Sequence, residues 1–306
     1  MNGKRYLRWL GAIVTAVMLA CLPTVASAQK PAAGYGGDQL CADCHKDLFA
    51  PYAKTAMGQA MAHPRAGHEA KGCESCHGPA KAHAESGGET KAGMTLYGHK
   101  KNSSPVKAQN ANCLQCHEKT SRTMWAGSIH EARNVACVDC HAVMHDNTEK
   151  GNLKKATVLA TCGGCHKDKA AAMSKYSHMP LTEVKMECTS CHSPHGSANE
   201  KLLVAAGTNE TCFSCHAEKR GPYMWEHLPV TENCSNCHDA HGSNKQRMLK
   251  YQLPRLCQNC HFTPHGAPSG RPSDQANVRF NYNKGCSNCH SAIHGSNHPG
   301  GIYFTR

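Results

Sequence analysis

Beyond residue 28, every cysteine of the chain falls in a C-x-x-C pair, and every pair is followed directly by histidine. The sets are Cys41, Cys44 and His45; Cys73, Cys76 and His77; Cys113, Cys116 and His117; Cys137, Cys140 and His141; and Cys162, Cys165 and His166. They continue with Cys188, Cys191 and His192; Cys212, Cys215 and His216; Cys234, Cys237 and His238; Cys257, Cys260 and His261; and Cys286, Cys289 and His290. Of 21 cysteines only Cys21 stands outside them. Two thiols and an imidazole at this spacing suit one chemistry. Both sulfurs add across the vinyl groups of a porphyrin, and the adjacent ring takes the iron from the same face. Zinc sites gather four ligands from two motifs and need no histidine after every second cysteine. A thioredoxin-like centre has one such pair inside a βαβ pattern, and none is visible here. A disulfide framework scatters its cysteines. The expectation is therefore ten covalent c-type haems and no disulfide, adding about 6 kDa to the polypeptide.

The ten motif histidines leave thirteen of the chain's 23. A six-coordinate bis-histidine iron needs one more ring each, so ten of the thirteen suffice. Five recur just past the even-numbered motifs: His83, His145, His195, His241 and His294. Four lie in the linkers after odd-numbered motifs: His130, His178, His227 and His265. A ring two or three residues past its own motif lies on the wrong side to close its own iron, so it is expected to reach a neighbouring haem. His68, His99 and His298 fall outside these slots and read as solvated side chains. The first linker breaks the pattern, because the step of 11 to 13 residues that gives His130, His178 and His227 lands on Met57. His63 lies ten residues before Cys73, as His178 does before Cys188, and is the expected distal ligand of the first haem. Met57, His68 or an open site are the alternatives; a thioether ligand would raise that haem's potential, whereas Met more often simply packs.

The elements that must hold these groups are short. The sequence has 27 Gly and 15 Pro but only five Phe and three Trp, too little to build a side-chain core for 306 residues. The expected fold is a multihaem cytochrome c, mostly coil with short α-helices and little or no β, wrapped around an elongated chain of haems. Stability would depend on the attached cofactor. The segment 46–63 is a better helical candidate than most, despite Pro51. The motifs form five pairs repeating every 45 to 65 residues or so, divisible into pentahaem halves at 29–172 and 173–306.

Lys4, Arg5 and Arg8, the apolar run 9–22 and the small residues 26–28 read as a secretory signal peptide over 1–28, with the mature chain starting at Gln29 outside the cytoplasm. A lipoprotein cut before Cys21 is the alternative. Losing those three cations lowers the formal charge from +12 to +9. Ten haems contribute about −10 when oxidised and about −20 when reduced, so the basic polypeptide gives no argument for nucleic acid. No mature segment is long and apolar enough for a transmembrane helix.

Longer stretches carry a resemblance: "GCESCHGPAKAH" (72–83), "YMWEHLPVTENCSNCHDAHGSN" (223–244), "LPRLCQNCH" (253–261) and "CHSAIHGSNHPGG" (289–301). With ten motifs behind a signal peptide, the chain resembles the periplasmic decahaem cytochromes of the MtrA/DmsE type, including the PioA and MtoA relatives. The resemblance implies bis-histidine haems in one wire, seated in an outer-membrane β-barrel porin. The implied partners are periplasmic or inner-membrane cytochromes on one side and an extracellular multihaem cytochrome or terminal acceptor or donor on the other. Those relatives tend to carry a His in the stretch matching 53–59, where this chain has Met57.

Three functions compete. A conduit needs closely spaced six-coordinate haems and no open iron. A multihaem reductase needs an open face, often announced by a Lys or Cys ligand or an irregular motif, and all ten motifs here are regular. A free periplasmic shuttle, or a filament-forming cytochrome, would share the haems but not the porin. The reading is an electron conduit rather than an enzyme.

Overall fold

The computed structural model describes residues 34–64, 71–145, 148, 151–262 and 285–305. The signal-peptide segment 1–28, Cys21, His68 and His265 lie outside the described residues. Among the described residues nine apolar side chains are buried, and four of them are alanines: Ala42, Ala80, Ala136 and Ala172. Meanwhile Phe262 is 84% exposed and Tyr176 77%. Large apolar groups left outside and small ones inside are what a polypeptide shows when its own side chains do not form the interior.

Local structure follows the same logic. The longest described helix, α6 (Val106–His117), buries two polar residues, Gln109 and Asn110. Gln109 Nε2 donates to the carbonyls of Gly98 (2.8 Å) and Ser104 (2.7 Å), and its Oε1 accepts from Gly98 N. Polar side chains tying backbone to backbone replace apolar packing, each satisfied as burial requires. Glu74, only 3% exposed, does likewise: its carboxylate accepts from the backbone N–H groups of Gly36, Gly37 and Ala80, pinning the chain's start to the second motif.

The expected helix over 46–63 is two. Helix α2 (Lys46–Tyr52) ends just after Pro51, which cannot donate to the preceding turn. Helix α3 (Ala56–Ala62) begins afresh at Thr55, whose buried hydroxyl accepts from Gly58 N at 3.0 Å and donates to the Tyr52 carbonyl at 2.8 Å. Met57 sits in the first turn of α3 and His63 caps its end.

The two classes of motif mostly fold differently, although the fourth motif's Cys137 also opens a short α-helix, Cys137–Cys140. In the odd-numbered ones the first cysteine lies in a helix: Cys41 in α1 (Asp38–Cys44), Cys113 in α6, Cys162 in α9 (Val158–Cys162), Cys212 in α11 (Thr208–Phe213) and Cys257 in α13 (Arg255–Gln258). The last three even-numbered ones open on 3₁₀ turns, Cys188–Ser190, Cys234–Asn236 and Cys286–Asn288. The β structure described is confined to isolated bridges, among them His141 with Leu153, His192 with Leu203 and His238 with Leu249. Among the described residues no helix is long and apolar enough to cross a membrane.

Candidate metal centres along the chain

Each even-numbered motif is tied to its odd-numbered predecessor by one side chain or by sulfur. Asn110, three residues before Cys113, accepts from Cys137 N at 2.8 Å, and Asn209, three before Cys212, accepts from Cys234 N at 2.7 Å. Asp38, three before Cys41, accepts from Cys73 N at 2.7 Å. The first thiols of the two motifs then lie close enough to shift each other's acidity: Cys41 and Cys73, Cys113 and Cys137, Cys162 and Cys188, Cys212 and Cys234, and Cys257 and Cys286. The acidities record the contact. Cys162 is pushed up by its neighbour Cys188 and then by burial, while Cys188 is lowered to about 7 by Cys162. Burial, followed by the Asp38 carboxylate, pushes the Cys73 thiol up to about 12.

Between pairs it is the second cysteines that approach. Cys76 lies within electrostatic reach of Cys116, Cys140 of Cys165, Cys191 of Cys215 and Cys237 of Cys260. The motifs are therefore neighbours in sequence order from first to tenth, through first cysteines within a pair and second cysteines between pairs.

The histidines form a second, longer-range pattern. Six motif rings each face one ring from elsewhere: His45 with His83, His141 with His195, His166 with His130, His192 with His241, His238 with His294, and His261 with His227. Their centres are 6.0 to 6.4 Å apart. Two imidazoles on one metal, each bonded at about 2.0–2.1 Å, place their ring centres about 6.3 Å apart. The gap is thus the size of a single ion, and the donor set fits the iron of a c-type haem whose thioethers the adjacent cysteines would supply. Among the described residues no three His, Cys, Asp or Glu side chains gather around a bare metal ion.

The tautomers suit this use. Nδ1 of His192 and of His238 donates to the carbonyls of Lys201 and Arg247, each at 2.8 Å, and Nδ1 of His77, His141 and His290 meets the carbonyls of Thr95, Gly151 and Tyr303. A carbonyl only accepts, so the proton is on Nδ1 and Nε2 keeps the lone pair a metal needs. Lys201 and Arg247 adopt φ of 55° and 58°, a left-handed conformation rare for such residues, held here where it aims the carbonyl at the ring. Across the gap, Nδ1 of His83, His130 and His227 is held by Thr90, Pro194 and Ile293 carbonyls. Burial, before any other cause, lowers the pKa of His195, His241 and His294, which favours the neutral ring that binds metal.

The reach of these rings differs from expectation. His195, His241 and His294, after motifs six, eight and ten, face motifs four, six and eight. His130 and His227, in the linkers of motifs three and seven, face motifs five and nine. Consecutive motifs meet through their cysteines, so the reaching ring passes over its neighbour to the next motif of the same class. Only His83 stays within its pair, and it stands opposite His45 where His63 or Met57 was expected. The described rings of His63, His145 and His178 have no facing ring assigned among these pairs. His178 instead donates from Nδ1 to the Met179 carbonyl at 2.8 Å. His99 lies 2.8 and 2.9 Å from the two oxygens of Asp139, and His298 accepts from Gly300 N, both outside the paired set. The pairing of His141 with His195 and the bond from His130 to Pro194 cross the division between residues 172 and 173.

The register is enforced by the "HGS" turns after motifs six, eight and ten. Ser243 and Ser177 exchange backbone hydrogen bonds, as do Ser296 and Trp225, laying an odd-numbered linker against an even-numbered turn three motifs on. Gly196 and Gly242 have φ of 116° and 127°, and a Cβ on either would overlap a backbone carbonyl, of Met124 or Ala172. Backbone cannot step aside as a flexible side chain can. Gly196→Ala is expected to destabilise by more than about 1 kcal/mol, the size of an ordinary glycine effect, read as a lowered denaturation midpoint of the haem-loaded protein.

The doubled CXXCH motif family matches residues 178–221 and 227–266, and the family described as cytochrome c-type protein NrfB-like matches 73–158. The multiheme cytochrome MtrA of Shewanella baltica is 41% identical over 284 residues, covering 88% of this chain and 81% of that protein. The cytochrome c-type protein NrfB of Escherichia coli O6:H1 is 27% identical over 134 residues, 43% of this chain and 66% of its own. The high-molecular-weight cytochrome c of Nitratidesulfovibrio vulgaris is 22% identical over 150 residues, 40% of this chain and 27% of its own.

Proposed function

The chain belongs to the multihaem c-type cytochromes of the MtrA type, and from that premise we propose that it is a decahaem electron conduit between periplasm and cell exterior, not an enzyme. The observation that carries this reading is the set of six facing histidine pairs, spread from the first motif to the ninth, beside cysteines of consecutive motifs that lie within electrostatic reach of one another in sequence order. Bound haem supplies one-electron exchange at its iron. The polypeptide's part is to fix ten such groups in a row. Its cysteine pairs would hold them covalently, and its motif rings and reaching rings would supply the nitrogen ligands of the irons. At six motifs a second ring already stands across the gap, which leaves no face there for a substrate.

The register of the six pairs extends to the other four. Even-numbered motifs take the ring that follows the motif two further on, which gives His145 to the second motif. Odd-numbered motifs take the linker ring from two motifs back, which gives His63 to the third and His178 to the seventh. The ends have no such donor. The first motif closes with His83 of its own pair, and by the same logic the tenth closes with His265 of its own pair. Ten of the thirteen spare histidines are used, leaving His68, His99 and His298, and Met57 is a packing residue.

The mature chain is exported after removal of residues 1–28 and held at the outer membrane by a β-barrel porin. Soluble redox proteins meet one end and an extracellular cytochrome or terminal acceptor or donor meets the other, with direction set by their potentials. Liposomes enclosing a reduced viologen dye test this. With the haem-loaded protein and its porin in the bilayer, an external ferric chelate should oxidise the trapped dye, and neither protein alone should suffice. Dye that stays reduced with both present rules out the conduit and leaves a free periplasmic shuttle.

A further inference from the structure

Five of the six facing ring pairs are close to parallel, with interplanar angles of 5°, 11°, 14°, 14° and 24°. The sixth, His130 with His166, is turned to 61° at the same 6.3 Å separation. We propose that His130 is held in this crossed orientation to make the fifth haem position electronically unlike its parallel neighbours, raising its reduction potential in the middle of the series. The inference rests on the bis-histidine reading above.

The local backbone explains the angle. His130 and His227 fill the same linker slot, yet His227 lies on extended backbone (φ −94°, ψ 106°) ahead of α12 (Leu228–Glu232), whereas His130 lies within the helical turn α7 (Ile129–Ala132). His130 lies 13 residues after its motif histidine and His227 lies 11 after its own. Helix α7 is fixed at its start by Ser128, 6% exposed, whose hydroxyl accepts from Glu131 N at 3.2 Å. Gly127 N adds a bond to the Glu131 carboxylate at 2.6 Å. The far side of the ring is tethered by Nδ1 donating to the Pro194 carbonyl at 2.8 Å. A ring so held cannot turn about its metal-binding nitrogen without breaking that bond or unwinding the turn.

The angle matters because each imidazole donates π density along its own ring normal. Parallel rings act on one of the two iron dπ orbitals and split the pair. The unpaired electron of the ferric ion then occupies a distinct, raised orbital, and the oxidised form is stabilised. Crossed rings act on both orbitals alike, leave them nearly equal, and withhold that stabilisation. Axial geometry and the hydrogen bonds that fix it are among the levers by which a protein sets haem properties. Nearly equal orbitals also give a strongly anisotropic low-spin signal, with the largest g value displaced beyond that of the rhombic signals from parallel pairs.

Electron paramagnetic resonance of the oxidised, haem-loaded protein tests this, on the natural chain and on His130→Gly with and without added imidazole. The natural protein should show only low-spin iron with a strongly anisotropic component. In His130→Gly that component should fall by one haem and one high-spin haem should appear. Imidazole should return the haem to the low-spin state without restoring its anisotropic signal, because the free ligand lacks the Pro194 tether, and a redox titration should place it at a lower potential than in the natural protein. Absence of an anisotropic component from an otherwise low-spin natural protein overturns the inference alone, and needs no variant to fold. Imidazole restoring both the original signal and the original potential also overturns it. A high-spin haem at this position before any substitution would instead overturn the bis-histidine reading.

Discussion

Removing His83 is expected to leave one high-spin haem, removing His63 is expected to leave another, and removing both is expected to leave two. The count separates two assignments. Repeat spacing alone makes His63 a candidate for the first motif, and under that assignment the His83→Ala change would open some other iron or none. The structure sets the His83 ring 6.4 Å from that of His45, at 5° between planes, with Nδ1 held by the Thr90 carbonyl. His63, at the end of α3, is then free to serve the third motif through the step of two that the other linker rings follow. If His63 and His83 instead competed for one iron, the double substitution would open one site, and each single substitution would be partly compensated. Optical and paramagnetic spectra of the oxidised variants, with high-spin iron quantified against total haem, give the count directly. Neither change touches a cysteine, so ten haems should stay attached, and intact mass checks that independently.

Which parts of this arrangement are legible in the sequence follows from how local each interaction is. A C-x-x-C-H motif is five residues long and carries its own chemistry, so every proximal histidine can be named without a structure. The short helices and scarce β structure follow from too few large apolar residues, since elements that cannot bury a stripe against one another stay short. The split of 46–63 at Thr55 was also within reach, because a threonine three residues before Gly58 is a capping signal that Pro51 makes necessary.

The distal partners were not legible in the same way. His141 and His195 are 54 residues apart, and what brings them together is an "HGS" glycine with no room for a Cβ beside Met124, 72 residues earlier. Spacing between neighbouring motifs says nothing about a step of two. The glycines were the available signal, since "HGS" recurs after His195, His241 and His294 and is missing after His83 and His145. The crossed His130 ring had a fainter mark, the two extra residues in its linker compared with that of His227.

Cutting the series in its interior should stop transfer through it, while leaving most of the cofactor in place. In Cys188→Ala/Cys191→Ala the sixth motif loses both attachment points, and intact mass should fall by one haem to nine. The fifth and seventh motifs are then the nearest surviving neighbours. Their nearest cysteine neighbours belong to the sixth: Cys162 lies close to Cys188 on one side, and Cys191 lies within electrostatic reach of Cys215 on the other. No thiol contact bridges the fifth to the seventh directly, so an unbranched order offers no detour. The rings that reach over a neighbour, such as His195 to the fourth motif and His241 to the sixth, hold positions but carry no redox group between them. In the liposome assay, external ferric chelate should therefore fail to drain the trapped dye beyond the leak of porin alone. A small reductant such as dithionite should still bleach all nine remaining haems, because it can reach each from solution, and this separates a broken series from a collapsed fold. The matching change at the chain's end, Cys286→Ala/Cys289→Ala, also leaves nine haems but removes only a terminal contact, so it should slow exchange with the partner there and leave conduction through the rest intact. Equal dye oxidation by the interior variant and the natural protein would mean that electrons bypass the sixth position, and the ordered thiol contacts would then not describe the path.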